Sequence, residues 1–316
     1  MTVAETAAWL SARDNFCILT HRNPDGDTIG CAAALCRGLR GLGKTACVLE
    51  NPQFTPRYAP YLAGLLAPEA PEGAVIVSVD MAAETLLPDN AKQFAGRIAM
   101  AVDHHGSNSG FAPDRLVDPA AAACGELIFQ ILRAMGAPLT RDVAEAVYVA
   151  VSTDTGCFQY SNTTAQTLRI AAETKDLGCD AYPINKLMFG TKSFARLQLE
   201  SRLTASMELL AGGRLAVCRL PRAWMGELGL TEDDIDSIAG FPRSVEGVEV
   251  GVMLREMADG SQKISLRTAP SCDASAVCAH LGGGGHRAAA GATAPGSFES
   301  AREAVLGALR AEGFPA

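Results

Sequence analysis

The chain has 316 residues, of which 48% are hydrophobic and 20% charged, and its net charge is −8. This length exceeds what one hydrophobic core usually serves, so it predicts two folded domains. No apolar stretch is long enough to span a membrane and no signal segment opens the chain, so we expect a cytoplasmic protein with no membrane partner. The acidic balance argues against binding to long duplex nucleic acid, but it leaves a small phosphorylated ligand open.

The first part of the chain alternates predicted strands with predicted helices. Short runs rich in Val and Ile predict strands at 16–20, 45–50, 74–80 and 98–103. Apolar periodicity predicts helices at 28–42, 120–135, 143–151 and 165–177. This order indicates an α/β domain over residues 1–188, with a mostly parallel sheet flanked by helices. In such a sheet, ligands bind at the carboxyl ends of the strands.

The remainder predicts a linker and a smaller domain. A helix from Ser193 to about Leu210 ends at Gly212 and Gly213, so we assign a linker helix to 189–211 and a second domain to 212–316. In this domain the patterns predict three strands and three helices, with strands at 214–220, 248–256 and 262–268 and helices at 231–239, 273–281 and 298–311. A hairpin turn near 257–261 indicates an α/β domain with a mixed sheet. The ten cysteines lie mostly in apolar segments and are expected to be reduced core residues.

The first predicted strand ends in a loop rich in metal-ligating side chains. His21 follows the strand, and Asp25 and Asp27 flank Gly26, which allows a tight turn between them. One imidazole and two carboxylates therefore converge. The alternative is an ordinary turn with Asp27 as the N-cap of the next helix, which leaves His21 unexplained.

Three further segment ends carry side chains of the same kind. Asp80 ends the strand at 74–80, Asp103-His104-His105 ends the strand at 98–103, and Asp154 lies in a polar loop after a helix. Adjacent side chains of an extended chain point to different faces, so one histidine can bind metal while the other faces substrate. The alternatives are a helix N-cap for Asp80 and a turn residue for Asp154.

Together these segments supply four aspartates and two histidines, namely Asp25, Asp27, Asp80, Asp154, His21 and His104. Such a set is too large for one tetrahedral zinc. It suits two divalent ions, manganese or magnesium, that share a bridging carboxylate.

The segments from His21 to Asp27, Asp80, Asp103 to His105 and Asp154 resemble, in order and spacing, the four motifs of the DHH phosphoesterase superfamily. The glycine-rich run from Gly282 to Gly291 resembles the signature of the DHH-associated domain. The compact two-domain arrangement is similar to the NrnA type of this superfamily, the nano-RNases and 3′-phosphoadenosine 5′-phosphate phosphatases. The two domains cover nearly the whole chain.

The resemblance implies two Mn²⁺ ions, or Mg²⁺, with Asp80 as the bridge between them. One ion would be held by His21, Asp25 and Asp80, and the other by Asp27, Asp80, His104 and Asp154. The ions would activate water for attack on phosphorus. His105 would contact the scissile phosphate, and Asp103 would orient an imidazole.

The second domain is expected to bind substrate through its glycine run. The backbone N–H groups of Gly283, Gly284 and Gly285 can approach a phosphate, and His286 and Arg287 add donors or positive charge. By resemblance, Arg267 would face the same cleft. The alternatives are a flexible turn for the run and a solvated edge position for Arg267. Phe158 is either a base-stacking or a core residue, and core packing is the preferred reading.

The resemblance implies manganese-dependent hydrolysis of short oligoribonucleotides, including linear dinucleotides such as pGpG, and of 3′-phosphoadenosine 5′-phosphate. Two alternatives stay open, a cyclic-di-AMP phosphodiesterase of the same family and a family II-type inorganic pyrophosphatase. The resemblance also suggests a homodimer.

Overall fold

The computed structural model of the protein describes residues 1–235 and 238–316. Within them the chain forms two compact units, Met1–Thr191 and Lys192–Ala316. All ten cysteines are free thiols and nine are buried, as expected of core residues. No helix in the described part of the chain is both long enough and apolar enough to cross a bilayer.

The first unit is built on a six-stranded sheet in which every pair of neighbouring strands is parallel. Its strands are β1 (Phe16–Leu19), β2 (Ala46–Leu49), β3 (Leu66–Ala67), β4 (Val75–Val79), β5 (Met100–Asp103) and β6 (Asp114–Val117). They lie in the order β3-β2-β1-β4-β5-β6. The chain progresses outward in opposite directions from β1 and β4, so the carboxyl ends of these two strands flank the crevice in which such sheets bind ligands.

Helices cover this sheet, as the sequence predicted. They are α1 (Val3–Ser11), α2 (Gly26–Gly41), α3 (Ala59–Leu62), α4 (Cys124–Ala134), α5 (Arg141–Asp154), α6 (Ala165–Asp176) and α7 (Ala181–Asn185). Short 3-10 turns lie at Pro56–Tyr58, Glu84–Leu86 and Asp89–Phe94, and a π turn lies at Lys186–Gly190. α2 and α5 cross closely, because a Cβ at Gly30 would lie only 2.3 Å from the carbonyl oxygen of Ala146.

The second unit has a mixed sheet, so the predicted α/β fold class is confirmed for both units. Its strands are β7 (Glu208–Leu210), β8 (Leu215–Leu220), β9 (Val250–Glu256), β10 (Gln262–Thr268), β11 (Gly284–His286) and β12 (Ala289–Ala294). Their order is β11-β12-β10-β9-β8-β7, with only β8 and β9 parallel among the described pairs. The helices are α8 (Phe194–Ala205), α9 (Ala223–Glu227), α10 (Glu232–Ile235), α11 (Ala274–Ala279) and α12 (Phe298–Ala311), with 3-10 turns at Ala211–Gly213 and Ile238–Ser244.

Some predicted boundaries differ from the structure. The helix predicted from Ser193 to Leu210 ends at Ala205, because residues 208–210 pair with β8 as an antiparallel edge strand. The helix predicted at 231–239 is described only in part, since residues 236 and 237 lie outside the described residues. The final predicted helix, 298–311, is confirmed at both ends.

Candidate metal centre

His21 lies at the carboxyl end of β1, between two carboxylates. Its Nε2 lies 3.6 Å from Oδ1 of Asp25 and 3.6 Å from Oδ2 of Asp80. Asp25 is the N-cap of α2, and its Oδ1 accepts hydrogen bonds from the backbone N–H groups of Asp27 and Thr28. Donor atoms of His21, Asp25 and Asp80 all lie within 4.8 Å of one another, so these residues could hold one cation.

Asp27, in the first turn of α2, is buried and held by the N-terminus of α4. Its Oδ2 accepts a hydrogen bond from the backbone N–H of Cys124 at 2.7 Å. Its Oδ1 accepts one from the backbone N–H of Gly125 at 2.9 Å and one from Sγ of Cys31 at 3.2 Å. These bonds fix the direction in which the carboxylate points.

The start of α2 approaches the end of α5 because residue 26 is glycine. A Cβ at Gly26 would lie 2.3 Å from Oγ1 of Thr153, so any larger residue would require the two helices or Thr153 to shift. The close approach brings Asp27 and Asp154 to the same histidine, since Nε2 of His104 lies 3.8 Å from Oδ2 of Asp27 and 3.4 Å from Oδ2 of Asp154. These three residues form a second group that could hold a cation.

Asp80 follows β4 and contacts both groups. One carboxylate oxygen, Oδ2, faces His21, and the other, Oδ1, lies 3.5 Å from Nε2 of His104. Asp80 is buried, and its Oδ1 makes no hydrogen bond with any residue the structure describes. Its φ of 53° is left-handed, a strained conformation of the kind found at functional sites. The alternative reading as a helix N-cap is wrong, because the next helical turn begins at Glu84 with Ala83 as its N-cap.

Backbone carbonyls set the ring orientation of both candidate histidine ligands. Nδ1 of His104 lies 3.1 Å from the carbonyl oxygen of Ala121, and Nδ1 of His21 lies 2.9 Å from that of Arg22. Each carbonyl accepts from an Nδ1–H, which leaves Nε2 with the lone pair that a metal needs.

His105 has a different partner, the buried carboxylate of Asp103. Oδ1 of Asp103 accepts a hydrogen bond from Nδ1 of His105 at 2.7 Å, and Oδ2 accepts one from Nδ2 of Asn108 at 2.6 Å. Burial acts to lower the pKa of His105, but the hydrogen bond to Asp103 and the negative charge of Asp80 outweigh it and raise the pKa to about 9. Without bound metal, the pair with Asp103 therefore favours the protonated form of His105.

The crowding of carboxylates indicates that the centre binds cations. Burial raises the pKa of Asp154 to about 7, with the charge of His104 opposing this rise and that of Asp80 adding to it. Burial and the charges of Asp80 and Asp154 likewise raise the pKa of Asp27 well above its usual range. Divalent cations would neutralise this repulsion and satisfy the unpartnered Oδ1 of Asp80. The mixed oxygen and imidazole donor set fits such ions.

In the second unit the predicted glycine run forms an edge strand instead of a flexible turn. Gly284, Gly285 and His286 make up β11, which pairs with β12. Glycine is required at two positions, because a Cβ at Gly283 would lie 2.1 Å from the carbonyl oxygen of Gly291 and one at Gly285 would lie 2.6 Å from that of Ala289. The run therefore lies tightly against its neighbour.

Arg267 of β10 and His286 of β11, two of the predicted substrate-binding residues, share one face of the sheet. Ala289 is the register partner of both His286 and Arg267, and partners in an antiparallel sheet point to the same side. Arg287 is directed elsewhere, with Nη1 3.9 Å from Oδ2 of Asp273 at the start of α11. The structure thus brings Arg267 and His286 to one surface and places Arg287 beside α11.

Several contributors to the first site were not anticipated from the sequence, among them Asn108 and Gly125. Asn108 lies in a Gly- and Ser-rich turn, and this composition predicts a loop without revealing that its amide reaches Asp103. Gly125 lies 98 residues from the carboxylate that it contacts. A Cβ there would lie 2.5 Å from Cβ of Ala150, so glycine is needed for the approach of α4.

Comparison with known proteins identifies both units. Residues 15–151 match the N-terminal domain of the DHH family, and residues 212–311 match the DHHA1 domain. A Thermus thermophilus protein named bifunctional oligoribonuclease and PAP phosphatase NrnA is 34% identical over 299 residues, 93% of this chain and 89% of the relative. A Streptococcus mutans protein named probable bifunctional oligoribonuclease and PAP phosphatase NrnA is 25% identical, and the similar region covers 92% of this chain and 94% of the relative.

A solved structure has the same fold. The crystal structure of an exopolyphosphatase-related protein from Bacteroides fragilis superposes with a TM-score of 0.87 at 24% identity and covers 98% of this chain and 95% of that one. The match to the DHH family includes the strands β1, β4 and β5, after which His21, Asp80 and His104 lie. The chain therefore belongs to the DHH family of phosphoesterases and carries a DHHA1 domain in its second unit.

Proposed function

We propose that the protein is a manganese-dependent phosphoesterase that hydrolyses short oligoribonucleotides, including linear dinucleotides such as pGpG, and 3′-phosphoadenosine 5′-phosphate. The observation that carries the proposal is the buried carboxylate of Asp80, whose Oδ2 lies 3.6 Å from Nε2 of His21 and whose Oδ1 lies 3.5 Å from Nε2 of His104. The name of the Thermus thermophilus relative, similar along nearly its whole length, supports this substrate class.

In this proposal Asp80 would be a ligand of both cations. One would be held by His21, Asp25 and Asp80, and the other by Asp27, Asp80, His104 and Asp154, the sets that the short distances support. When bound, the two ions would supply Lewis acidity at the phosphate and lower the pKa of the attacking water. Mg²⁺ is usually bound through only one or two carboxylates and keeps several waters, so this larger donor set favours Mn²⁺.

His105 and Asp103 would act on the substrate side of the centre. When protonated, His105 would donate a hydrogen bond to a phosphate oxygen and stabilise the charge that develops there. Asp103 would keep the ring in place through the 2.7 Å hydrogen bond to Nδ1. Asn108 would in turn hold Asp103.

Residues 1–188 would form the catalytic domain and 212–316 the substrate-binding domain, joined by 189–211. We propose that Arg267 and His286, on one face of the second sheet, bind a terminal phosphate or nucleotide together with the backbone of Gly283, Gly284 and Gly285. Arg287, paired with Asp273, would contribute less. A homodimer and a cytoplasmic location belong to the same proposal.

A parallel assay in Mn²⁺ buffer tests the substrate assignment. The substrates are 3′-phosphoadenosine 5′-phosphate, pGpG, a five-nucleotide RNA, cyclic-di-AMP and pyrophosphate. We expect turnover of the first three. Turnover of cyclic-di-AMP or pyrophosphate in preference to all three would support the corresponding alternative and contradict the proposal.

A further inference from the structure

A loop at residues 156–162, called the rim loop below, follows directly after α5, which ends at Asp154. Three consecutive residues of this loop have left-handed backbone, Gly156 with φ 56°, Cys157 with φ 56° and Phe158 with φ 65°. Only the first of these is glycine. Non-glycine residues held in this region are strained, and such strain is concentrated at functional sites.

The rim loop is attached to backbone that orients the candidate ligands. The side-chain amide of Asn162 donates hydrogen bonds to the carbonyl oxygen of Asp154 at 3.1 Å and to that of Ala122 at 3.0 Å. Asp154 is itself a candidate ligand, and Ala122 adjoins Ala121, whose carbonyl orients His104. The loop therefore lies at the edge of the metal centre.

The strained turn places the ring of Tyr160 over Gly156. A Cβ at Gly156 would lie 2.4 Å from Cε1 and from Cζ of that ring, so only glycine allows the contact. The backbone N–H of Tyr160 donates to the carbonyl oxygen of Thr155 at 3.0 Å, which fixes the base of the side chain. Tyr160 nevertheless stays 60% exposed, so much of this residue is open to solvent.

Phe158, the aromatic residue considered from the sequence, does not have this position. Its ring packs edge-on against Tyr148 at a centroid distance of 5.9 Å and contacts the hydrophobic core. Phe158 is thus a core residue, the role preferred from the sequence. Tyr160 is thus the aromatic side chain of the rim loop that is available to a ligand.

We propose that Tyr160 is a specificity-determining residue that stacks on the nucleobase of the nucleotide whose phosphate lies at the metal centre. This inference rests on the proposed function. An exposed ring on a loop anchored at a candidate metal ligand fits the way proteins bind single-stranded nucleotides, where bases stack on aromatic side chains with little sequence preference.

Steady-state kinetics of the Mn²⁺-loaded enzyme test this role with an RNA dinucleotide and with the same dinucleotide lacking its bases. Tyr160→Ala should lower kcat/KM for the dinucleotide roughly 5- to 150-fold, the range that loss of one stacking contact produces. Turnover of the base-free substrate should not change. Tyr160→Phe keeps the ring and should behave as wild type, as should Tyr182→Ala, which removes a ring that is 72% exposed on α7.

A binding measurement separates failure of this inference from failure of the proposed function. 2-Aminopurine ribonucleotide loses fluorescence when it stacks on an aromatic ring, with or without turnover. Wild type and Tyr160→Phe should quench it, and Tyr160→Ala should not. Equal quenching by all three, or an equal loss of kcat/KM on both dinucleotides in Tyr160→Ala, would overturn the role of Tyr160. Absence of turnover in wild type would overturn the proposed function instead.

Discussion

Two adjacent histidines of the centre differ in the partner of Nδ1, a carbonyl oxygen for His104 and a carboxylate for His105. Burial works against the charged form of His105, yet Asp103 and Asp80 raise its pKa from 6.5 to about 9. The folded protein thus binds this proton more tightly than the unfolded chain. The resulting stabilisation is complete below about pH 6.5 and is lost as the pH rises through about 9.

The melting temperature of chelator-treated wild-type protein should accordingly fall between pH 6.5 and pH 9. His105→Asn lacks the titrating group and should lose less over the same interval. Thermal unfolding followed by circular dichroism at several pH values measures both. An identical pH dependence in the two proteins would show that the His105–Asp103 pair does not stabilise the charged imidazole.

Asp103→Asn removes the negative charge that orients His105 and stabilises its protonated form. We expect kcat for a dinucleotide to fall roughly 100-fold, the order of magnitude by which positioned acid–base groups accelerate reactions. Bound manganese should stay at the wild-type amount, because Asp103 belongs to none of the groups of candidate ligands. Loss of metal together with activity would instead make Asp103 part of the metal site.

Site residues that belong to a local sequence pattern could be predicted, and groups brought in from distant parts of the chain could not. His21, Asp80 and His104 could be named because each follows a recognisable apolar strand. The carbonyl of Ala121 and the amide of Gly125 could not, because any residue supplies such groups and only the folded chain brings them to the site. The left-handed backbone of Asp80 could not be predicted either, since many aspartates tolerate that conformation and the sequence does not tell which of them adopts it.

At the scale of elements, the contact between α2 and α5 decides whether the two groups of ligands meet. Gly26→Ala would push a methyl group against Thr153, with the nearest atom at 2.3 Å. We expect a loss of about 1–3 kcal/mol in the free energy of unfolding, typical of overpacking, together with weaker manganese binding. Urea titration and calorimetric metal titration measure the two effects.

Gly307→Ala is the matched control, because a Cβ at this position of α12 has open space around it. It should stabilise the protein by about 0.5–1 kcal/mol through the helix preference of alanine and leave metal binding unchanged. If Gly26→Ala behaves like Gly307→Ala, the close crossing of α2 and α5 is not what assembles the site.

The long central elements could be predicted, and the short peripheral ones could not. β1, β4 and β5 are predominantly apolar runs, and α12 has a clear apolar face, so the sequence pattern identifies them. β3 has only two residues, and the pattern over residues 208–210 predicts the end of a helix where the structure has β7. Such edge strands are determined by pairing with a neighbour, as Glu208 pairs with Val217, and local propensity does not report that pairing.

At the scale of the whole molecule, manganese should act as a stabilising ligand. The repulsion that raises the pKa of Asp27 and Asp154 is part of the folded state and is relieved when cations bind. At a free concentration of about 100 times Kd, each ion should add about 2.7 kcal/mol to the free energy of unfolding. Chelation should therefore lower the melting temperature reversibly, and an unchanged melting temperature would contradict metal binding at this centre.

The number of manganese ions bound per chain, measured by elemental analysis after equilibrium dialysis, tests the central claim most directly. Asp80→Asn is compared with Asp89→Asn, which alters an exposed aspartate paired with Lys92. We predict two ions in wild type and in Asp89→Asn, and at most one in Asp80→Asn, together with loss of hydrolysis. Two ions in Asp80→Asn, or none in wild type, would contradict a carboxylate shared between two cations.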